Sequence, residues 1–376
     1  MNRIKSCLAM LGLTLLYACQ SGDGKIKSAT DSTAAGSDSG SKAALEPIFA
    51  DHMFQLTGVA KEQGGRLLVN YPRWSEIYRY AVAEVTGDST ARPYPSDTMN
   101  QWVPGEPGQN TWVCVQSVYF DDDGQLWVLD PAAPMLKTVQ GGGAKLVKMN
   151  NATGRPERSY SFNGIVPDTA YVNDLRVDVR RQFAYVTESK GGGIVVIDLN
   201  TGRMRRVLSN HYSVKSDPAF RFIIDGRELM KDGRPAKFNS DGIALSPDGA
   251  WIYYKPLTDD KLYRIQTAYL RDWNLPDSAL GNRVEDLGRF TTTDGMIFDK
   301  QGNLYLGDLQ NYRIVRIDKN HKMTVVVEDQ RLLWPDSYAI ADGYLHISCS
   351  QIHKQPEYNN GENKRTSPYM VYRLRL

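Results

Sequence analysis

The chain has 376 residues, of which 45 are Lys or Arg and 43 are Asp or Glu, so its formal net charge is +2. This near balance, without a long basic run, argues against a nucleic-acid-binding protein. Once the N-terminal segments described next are set aside, about 330 residues remain, which is enough for one large all-β domain or two ordinary ones.

Residues 1–18 have the pattern of a cleaved signal peptide. Arg3 and Lys5 precede the apolar run Leu8–Leu16, which is too short to cross a bilayer as a permanent helix. The stretch "LYAC", ending at Cys19, resembles the lipobox of bacterial lipoproteins, and the resemblance implies a lipid on Cys19. An ordinary secretory signal is the alternative. We therefore expect an extracytoplasmic lipoprotein anchored in a bacterial membrane through Cys19, on the periplasmic side or at the cell surface.

Residues 19–43 are rich in Ser, Gly, Ala and Asp and show no apolar periodicity, which predicts a flexible tether. The folded part is then residues 44–376. It contains Cys114 and Cys349 and no CxxC motif, so we expect two buried free thiols rather than a disulfide framework.

The folded part repeats one pattern six times. Each unit has a polar start, an alternating apolar strand, a turn rich in Asp and Gly, and an aromatic-rich strand. Third and fourth strands follow most of these hairpins, and four strands per unit is the pattern of a propeller blade. The sequence therefore predicts an all-β, six-bladed β-propeller. The six units begin at Thr57, Gln116, Asn173, Asp241, Asp294 and Asp336.

The two ends of the chain are predicted to close the ring. After its hairpin the last unit has only Tyr369–Leu376 as a third strand, and Glu46–Met53 is the best candidate for the fourth. Pairing of these segments would leave no open sheet edge. A short helix is expected within Thr267–Val284, inserted between two blades.

In a propeller the first strand of each blade lines the central channel, so the six strand starts should meet at one mouth. The loops that follow the second strands return to the same face. Asp294, Asp241 and Glu188 are candidate proton acceptors there, with Lys255 or His353 as donors. The candidate ligand-binding residues at this mouth are Gln116, Asn173, Arg73, Trp74, Asp336 and Asp308.

The strand-start oxygens allow two interpretations. Asn173, Asp241 and Asp294, without His or Cys, suit a hard cation such as Ca²⁺. Alternatively, an Asp before Gly satisfies backbone donors at the entry to a strand.

Seven segments along the chain resemble the major royal jelly protein/Yellow family in its bacterial branch. They include "LLVNYPRW", "CVQSVYFDDDGQLWVLDPA", "DGIALSPDGAWIYY" and "LLWPDSYAI", and they run in order from about Gln55 to the C-terminus. The resemblance implies a six-bladed propeller, secretion and a small-molecule pocket at one mouth. It also implies a relation to L-dopachrome tautomerase.

A more distant similarity is to the gluconolactonase/senescence-marker propellers, which hold a divalent metal. By motif, Asn173 matches their substrate-contacting Asn, while Asp241 and Asp294 match an Asn and an Asp that bind the metal. The first-blade Glu of that family is missing, since "QLTGVA" offers Gln55 or Thr57 instead.

These features support three hypotheses of different classes. The first is a propeller that binds or isomerises a small aromatic or catechol-like molecule. The second is a metal-dependent sugar lactonase, and the third is a non-catalytic ligand-binding or scaffold propeller.

Overall fold

The computed structural model describes residues 44–376. The predicted signal peptide, Cys19 and the tether lie outside these residues. The described chain forms six four-stranded antiparallel sheets, and the inner strand of each contacts the inner strands of its two neighbours. This arrangement is a six-bladed β-propeller, and the predicted fold is confirmed.

Each of the first five blades is built from strands in chain order, with the first strand lining the channel. Blade 1 contains β2 (Gly58–Lys61), β3 (Leu67–Asn70), β4 (Val82–Gly87) and β5 (Thr90–Pro93). Blade 2 contains β6 (Ser117–Phe120), β7 (Leu126–Asp130), β8 (Lys145–Asn150) and β9 (Arg155–Ser161). Blade 3 contains β10 (Val172–Asp178), β11 (Phe183–Glu188), β12 (Gly193–Asp198) and β13 (Met204–Val207).

Blades 4 to 6 form the second half of the ring, and blade 6 includes β1, the first strand of the described chain. Blade 4 contains β18 (Ser240–Leu245), β19 (Trp251–Pro256), β20 (Lys261–Gln266) and β21 (Glu285–Arg289). Blade 5 contains β22 (Met296–Phe298), β23 (Leu304–Asp308), β24 (Arg313–Ile317) and β25 (Met323–Glu328). Blade 6 contains β26 (Pro335–Ala341), β27 (Tyr344–Cys349), β28 (Tyr369–Arg375) and β1 (Glu46–Asp51).

The ring closes as predicted. Strand β1 pairs antiparallel with β28, from Glu46 opposite Arg373 to Asp51 opposite Tyr369. The inner strands β2 and β26 also contact each other, which joins blade 1 to blade 6. Blade 6 thus combines strands from both ends of the described chain, with β1 as its outermost strand.

The turns at the far mouth explain the recurring Asp and Gly of the repeat. Asp121 accepts hydrogen bonds from the backbone N–H groups of Asp123 and Gln125, at 3.1 and 2.8 Å. Asp299 does the same for Gln301 and Asn303, at 2.9 and 2.8 Å. These carboxylates fix the turns by local side-chain to backbone bonding.

The predicted helix has a different position from the one expected. The segment forms two short helices, α1 (Thr267–Arg271) and α2 (Asp277–Gly281). They lie inside blade 4, between β20 and β21, rather than between two blades, because the fourth strand of this blade comes after them.

A segment that the sequence did not reveal lies between blades 3 and 4. Residues 215–239, here called the cover segment, contain two small hairpins and pack on the mouth side of blades 5 and 6. Phe222 stacks near Trp334 with ring centroids 5.7 Å apart, and Arg227 Nη2 donates to Asn359 Oδ1 at 2.6 Å. Its strands are β14 (Ile223–Ile224), β15 (Arg227–Glu228), β16 (Met230–Lys231) and β17 (Arg234–Pro235).

Two further observations concern sequence predictions. Cys114 and Cys349 are buried free thiols, as expected. Within residues 44–376, no helix has the length and apolar character needed to cross a membrane.

Candidate active site at one mouth of the channel

Four aspartates from neighbouring inner strands meet at one mouth of the channel. They are here called the acid cluster: Asp174, Asp241, Asp294 and Asp336. Asp241, Asp294 and Asp336 have exposed fractions of only 5%, 6% and 5%. Their carboxyl groups interact electrostatically with one another and with Asp174. The predicted convergence of three of these residues is therefore present in the structure.

In the repeated Asp-Gly pair, the glycine and the aspartate have different structural roles. A Cβ atom on Gly242 would lie 2.4 Å from the carbonyl oxygen of Asp294, and one on Gly295 would lie 2.5 Å from that of Asp336. Gly295 N–H also donates to the Asp336 carbonyl at 2.8 Å. Glycine thus allows adjacent inner strands to approach closely, while the aspartate before it reaches the channel.

The carboxyl groups of Asp241 and Asp294 lie close enough to interact directly, and a hydrogen bond between two carboxyl groups requires that one of them is protonated. Burial raises the pKa of Asp294 to about 7, although Trp334 Nε1, which donates to Asp294 Oδ2 at 2.7 Å, and Asp241 lower it. Burial, followed by the charge of Asp294, raises the pKa of Asp241 well above its ordinary value. Both carboxyls therefore hold a proton more tightly than an isolated aspartate does, and their titration belongs to the pair.

Two oxygens of the acid cluster have no hydrogen-bond partner among residues 44–376. They are Oδ1 of Asp241 and Oδ2 of Asp336, both fully buried. Burial also raises the pKa of Asp336 well above its ordinary value, and the charge of Asp294 adds to this effect. Buried polar atoms are normally satisfied, so these two are available to a ligand.

A chain of hydrogen bonds connects the first three blades at this mouth. Trp74 Nε1 donates to the Tyr171 hydroxyl at 2.9 Å, and that hydroxyl donates to Gln116 Oε1 at 2.8 Å. The predicted ligand-binding residues Trp74 and Gln116 are therefore brought together. Asn173, which is 5% exposed, follows shortly after Tyr171 at the start of β10.

Blade 1 contributes no acid to the cluster. Its strand start is Thr57, which is fully buried and accepts a bond from Asn70 Nδ2 at 3.0 Å. The same amide group donates to the Gln116 carbonyl at 3.0 Å. The position where the lactonase-like propellers have a Glu is thus filled by the neutral pair Thr57 and Asn70, and the buried Oδ1 of Asn70 has no hydrogen-bond partner among residues 44–376.

A family model described as Major royal jelly protein matches residues 113–373. The chain belongs to the major royal jelly protein family. The resemblance of the sequence segments is thereby confirmed. The match extends from just before β6 to β28, so it includes all four residues of the acid cluster.

Relatives and solved structures agree with this assignment. Major royal jelly protein 7 of Apis mellifera is 24% identical over 252 residues, which make up 61% of this chain and 52% of that protein. Major royal jelly protein 1 of Apis mellifera is 23% identical over 181 residues, or 46% of this chain and 40% of that protein. The chain therefore spans about half the length of the curated relatives it matches.

Solved propellers share the fold at low identity. A calcium-binding protein, regucalcin, from Agrobacterium tumefaciens aligns with a TM-score of 0.52 and 12% identity over 88% of this chain and 93% of that one. A gluconolactonase from Xanthomonas campestris aligns with a TM-score of 0.50 and 12% identity over 89% and 96%. Identities this low show the fold alone.

Three of the predicted site residues stabilise loops at the mouth. Glu188 Oε1 accepts the backbone N–H groups of Tyr171, Lys190 and Gly191, and Oε2 accepts Arg206 Nη2 at 2.7 Å. Asp308 accepts two bonds from the Asn311 amide, at 3.0 and 2.8 Å. Arg73, the third residue, lies between aromatic rings, with its guanidinium 4.9 Å from the Tyr78 ring centroid and 5.1 Å from that of Trp102.

Lys255 is fully buried beside the acid cluster. Its ammonium group donates to the carbonyls of Pro256 and Asp259 at 2.8 and 2.7 Å, which leaves one proton free. Burial lowers its pKa to about 8, and the carboxylates of Asp259, Asp260 and the cluster oppose this shift. Lys255 therefore remains protonated at pH 7 and provides positive charge near Asp241 and Asp294.

The predicted role of His353 as a proton donor receives no support from its surroundings. Its ring lies flat on Trp334 at 14° with centroids 5.7 Å apart, and only 2% of the residue is exposed. Burial lowers its pKa to about 4, so the ring is neutral at pH 7. His353 therefore packs against Trp334 and does not contribute an imidazolium.

Asp174 was not among the predicted site residues. Side chains alternate between the two faces of a regular strand, so if Asn173 faces the site, its neighbour Asp174 is expected to face away from it. The pairing of β10 with β11 shifts register between Val172 and Leu175, and this bulge places the Asp174 carboxyl near Gly295 in blade 5. The same shift occurs in β18 and β26 at Asp241 and Asp336. The adjacent polar pair "ND" was the available signal.

Arg176 is a second residue that the sequence did not reveal. It lies two positions after Asp174 on β10, and its guanidinium donates to the carbonyl of Met296 across the channel. It is 6% exposed and stacks 5.1 Å from the centroid of the Tyr119 ring. Arg176 thus spans the channel below the acid cluster. Burial raises the pKa of Asp174, and the positive charge of Arg176 opposes this rise.

The predicted metal ligands do not form a metal centre in the described part of the chain. Among residues 44–376, no group of three or more His, Cys, Asp or Glu side chains is placed to hold an ion. The propeller fold also occurs in the calcium-binding regucalcin, and the likeness at 12% identity shows the fold alone.

Proposed function

We propose that this chain binds a small aromatic or catechol-like molecule at the acid cluster and isomerises it by proton transfer, as a tautomerase does. The observation that supports this most is the Asp241–Asp294 pair, in which the pKa of Asp294 is about 7. A base with a pKa near the working pH combines a large ionised fraction with a useful driving force for proton removal. An acid and a base that differ in environment are the arrangement that this chemistry needs.

The proton balance of such a reaction is simple. Asp294 would accept a proton from one atom of the ligand, and Asp241 would return one to another atom. The ligand keeps its atoms and its oxidation state, so no further reactant is needed. The positive charge of Lys255 would stabilise the anionic form of the ligand between the two transfers.

Aromatic side chains around the cluster support an aromatic ligand. Trp334 contacts Asp294 directly, while Trp74 and Tyr171 lie on the opposite side next to Gln116. Two surface cavities, of about 180 and 330 Å³, are lined by other residues and none of the acid cluster. The chemistry of the mouth, rather than cavity size, therefore supports this location.

Turnover of L-dopachrome by the purified full chain is the first test, with loss of the chromophore followed spectroscopically and the product identified by chromatography. We expect Asp294→Asn to lower the rate by about a hundredfold, a typical contribution of one general base. Asp299→Asn is the matched control, because it changes a buried aspartate of the same blade at the far mouth, and it should keep the rate. No conversion by the wild type, or an unaffected Asp294→Asn variant, would contradict the proposal.

We also propose that the protein is an extracytoplasmic lipoprotein held by Cys19. The support is the signal-like sequence ahead of Cys19 and the Ser- and Gly-rich stretch after it. Labelling of cells with a fatty acid should mark the wild type, and Cys19→Ala should remove the label and release the protein from the membrane fraction. Equal labelling of both would refute the anchor.

A further inference from the structure

Trp334 connects the acid cluster with the outer layer of the mouth. On one side its Nε1 donates to Asp294 Oδ2 at 2.7 Å. On the other side it packs on His353, and the ring of Phe222 from the cover segment lies 5.7 Å from it. The indole is 1% exposed, so neither contact competes with water.

The backbone of Trp334 is held in an unfavourable conformation. Its φ is +62°, in the left-handed region that bulky side chains rarely adopt, and the following residue is Pro335, which further restricts the residue before it. Strain of this kind persists only where surrounding contacts impose it, and it is concentrated at functional sites.

Backbone hydrogen bonds on both sides impose this conformation. Ser350 N–H donates to the Trp334 carbonyl at 3.1 Å, and Gln351 N–H donates to that of Leu333 at 3.0 Å. Gln351 itself has a φ of +57°. Two residues in the left-handed region thus face each other where the chain enters and leaves the hairpin of blade 6, and together they turn the indole towards Asp294.

We propose that Trp334 is the positioning residue of the acid cluster. By donating to Oδ2, it fixes the orientation of the Asp294 carboxyl and leaves Oδ1 for the ligand. This inference rests on the proposed function for its catalytic consequence, whereas the hydrogen bond itself does not depend on any substrate.

The bond can be tested without a substrate. The chain has seven Trp residues, so the ¹⁵N-labelled full chain should give seven indole N–H signals in its NMR spectrum. We expect Asp294→Ala, which removes the acceptor, to move one of them markedly, and Trp334→Phe to remove that same signal. Asp308→Asn should leave it in place. If Asp294→Ala moves no indole signal, the bond is absent and the proposal fails, even if Trp334→Phe does not fold.

The catalytic consequence is tested by a double-mutant comparison. Trp334→Phe keeps an aromatic ring for His353 and Phe222 but removes the donor, and we expect kcat to fall by about tenfold with little change in KM. Because Trp334 acts through Asp294, the Trp334→Phe/Asp294→Asn protein should be no slower than Asp294→Asn alone. Losses that multiply would overturn the positioning role.

A matched control is available in blade 2. Trp112 is fully buried and its Nε1 donates to the Tyr94 carbonyl at 3.2 Å, far in sequence from the cluster. Trp112→Phe should therefore change kcat by less than about twofold. If the wild type turns over no substrate, the proposed function fails, and the indole signal alone decides the role of Trp334.

Discussion

The raised pKa of Asp294 predicts that this carboxyl lowers the stability of the fold at neutral pH. The pKa of Asp294 is about 7 in the folded chain, against an ordinary value of 3.8. A folded pKa that is raised means that the folded state binds the proton more tightly than the unfolded state. The stability contributed by this proton is fully present below about pH 4 and is lost as the pH rises through 7.

The size of this effect follows from the shift. A difference of about three pH units corresponds to about 4 kcal/mol at 1.36 kcal/mol per unit. Asn has nearly the same shape, cannot ionise, and still accepts a bond from Trp334. For about 330 ordered residues, a gain of this size raises the thermal midpoint by about 6 °C.

The assay is thermal unfolding of the wild type and Asp294→Asn between pH 4 and pH 8, followed by circular dichroism. The variant should be more stable by about 6 °C at pH 8 and nearly equal to the wild type at pH 4. Gly141→Ala, which changes no titratable group and has open space around the added Cβ, is the control, and its difference from the wild type should not depend on pH. An Asp294→Asn protein that is less stable than the wild type at pH 8 would refute the inference that this carboxyl is held against its ordinary ionisation.

Three further predictions follow from the same contacts. Arg176→Met removes the guanidinium that donates to the carbonyls of Leu175 and Met296 and whose charge acts on Asp174, so chemical denaturation at pH 7 should show a loss of about 3 kcal/mol, and the loss should shrink at pH 4 where the aspartates are protonated; equal losses at both pH values would speak against an electrostatic contribution of Arg176. Gly295→Ala places a Cβ 2.5 Å from the Asp336 carbonyl and should cost about 2 kcal/mol, whereas Gly141→Ala, with nothing within 4 Å, should cost little in the same assay. Because the described residues are not placed to hold a divalent cation, calcium and a chelator should leave the same thermal midpoint, and a clear rise with calcium would support the lactonase hypothesis instead.

The propeller could be predicted because its repeat is local. The pattern of alternating strands and Asp-Gly turns recurs within short segments. Because the last unit lacks a fourth strand of its own, the pattern also predicts that the segment forming β1 supplies it. Asp241, Asp294 and Asp336 could be assigned to one mouth because their position in the repeat is the same.

The rest of the site depends on features that a repeat does not encode. The bulge in β10 turns Asp174 into the channel against the expected alternation. The sequence predicts Glu188 as a proton acceptor at the mouth. In the structure, three backbone N–H groups of the surrounding loops donate to one of its oxygens. The cover segment packs on Trp334, which is distant from it in sequence, and no local sequence pattern predicts this contact.

The pH dependence of dopachrome turnover by the full chain tests the central claim most directly. If Asp294 is the base, kcat/KM of the wild type should rise as the pH passes through about 7, and this rise should be absent from the residual activity of Asp294→Asn. A rate that is flat across this range, or a rise that persists in Asp294→Asn, would contradict proton transfer by the acid cluster.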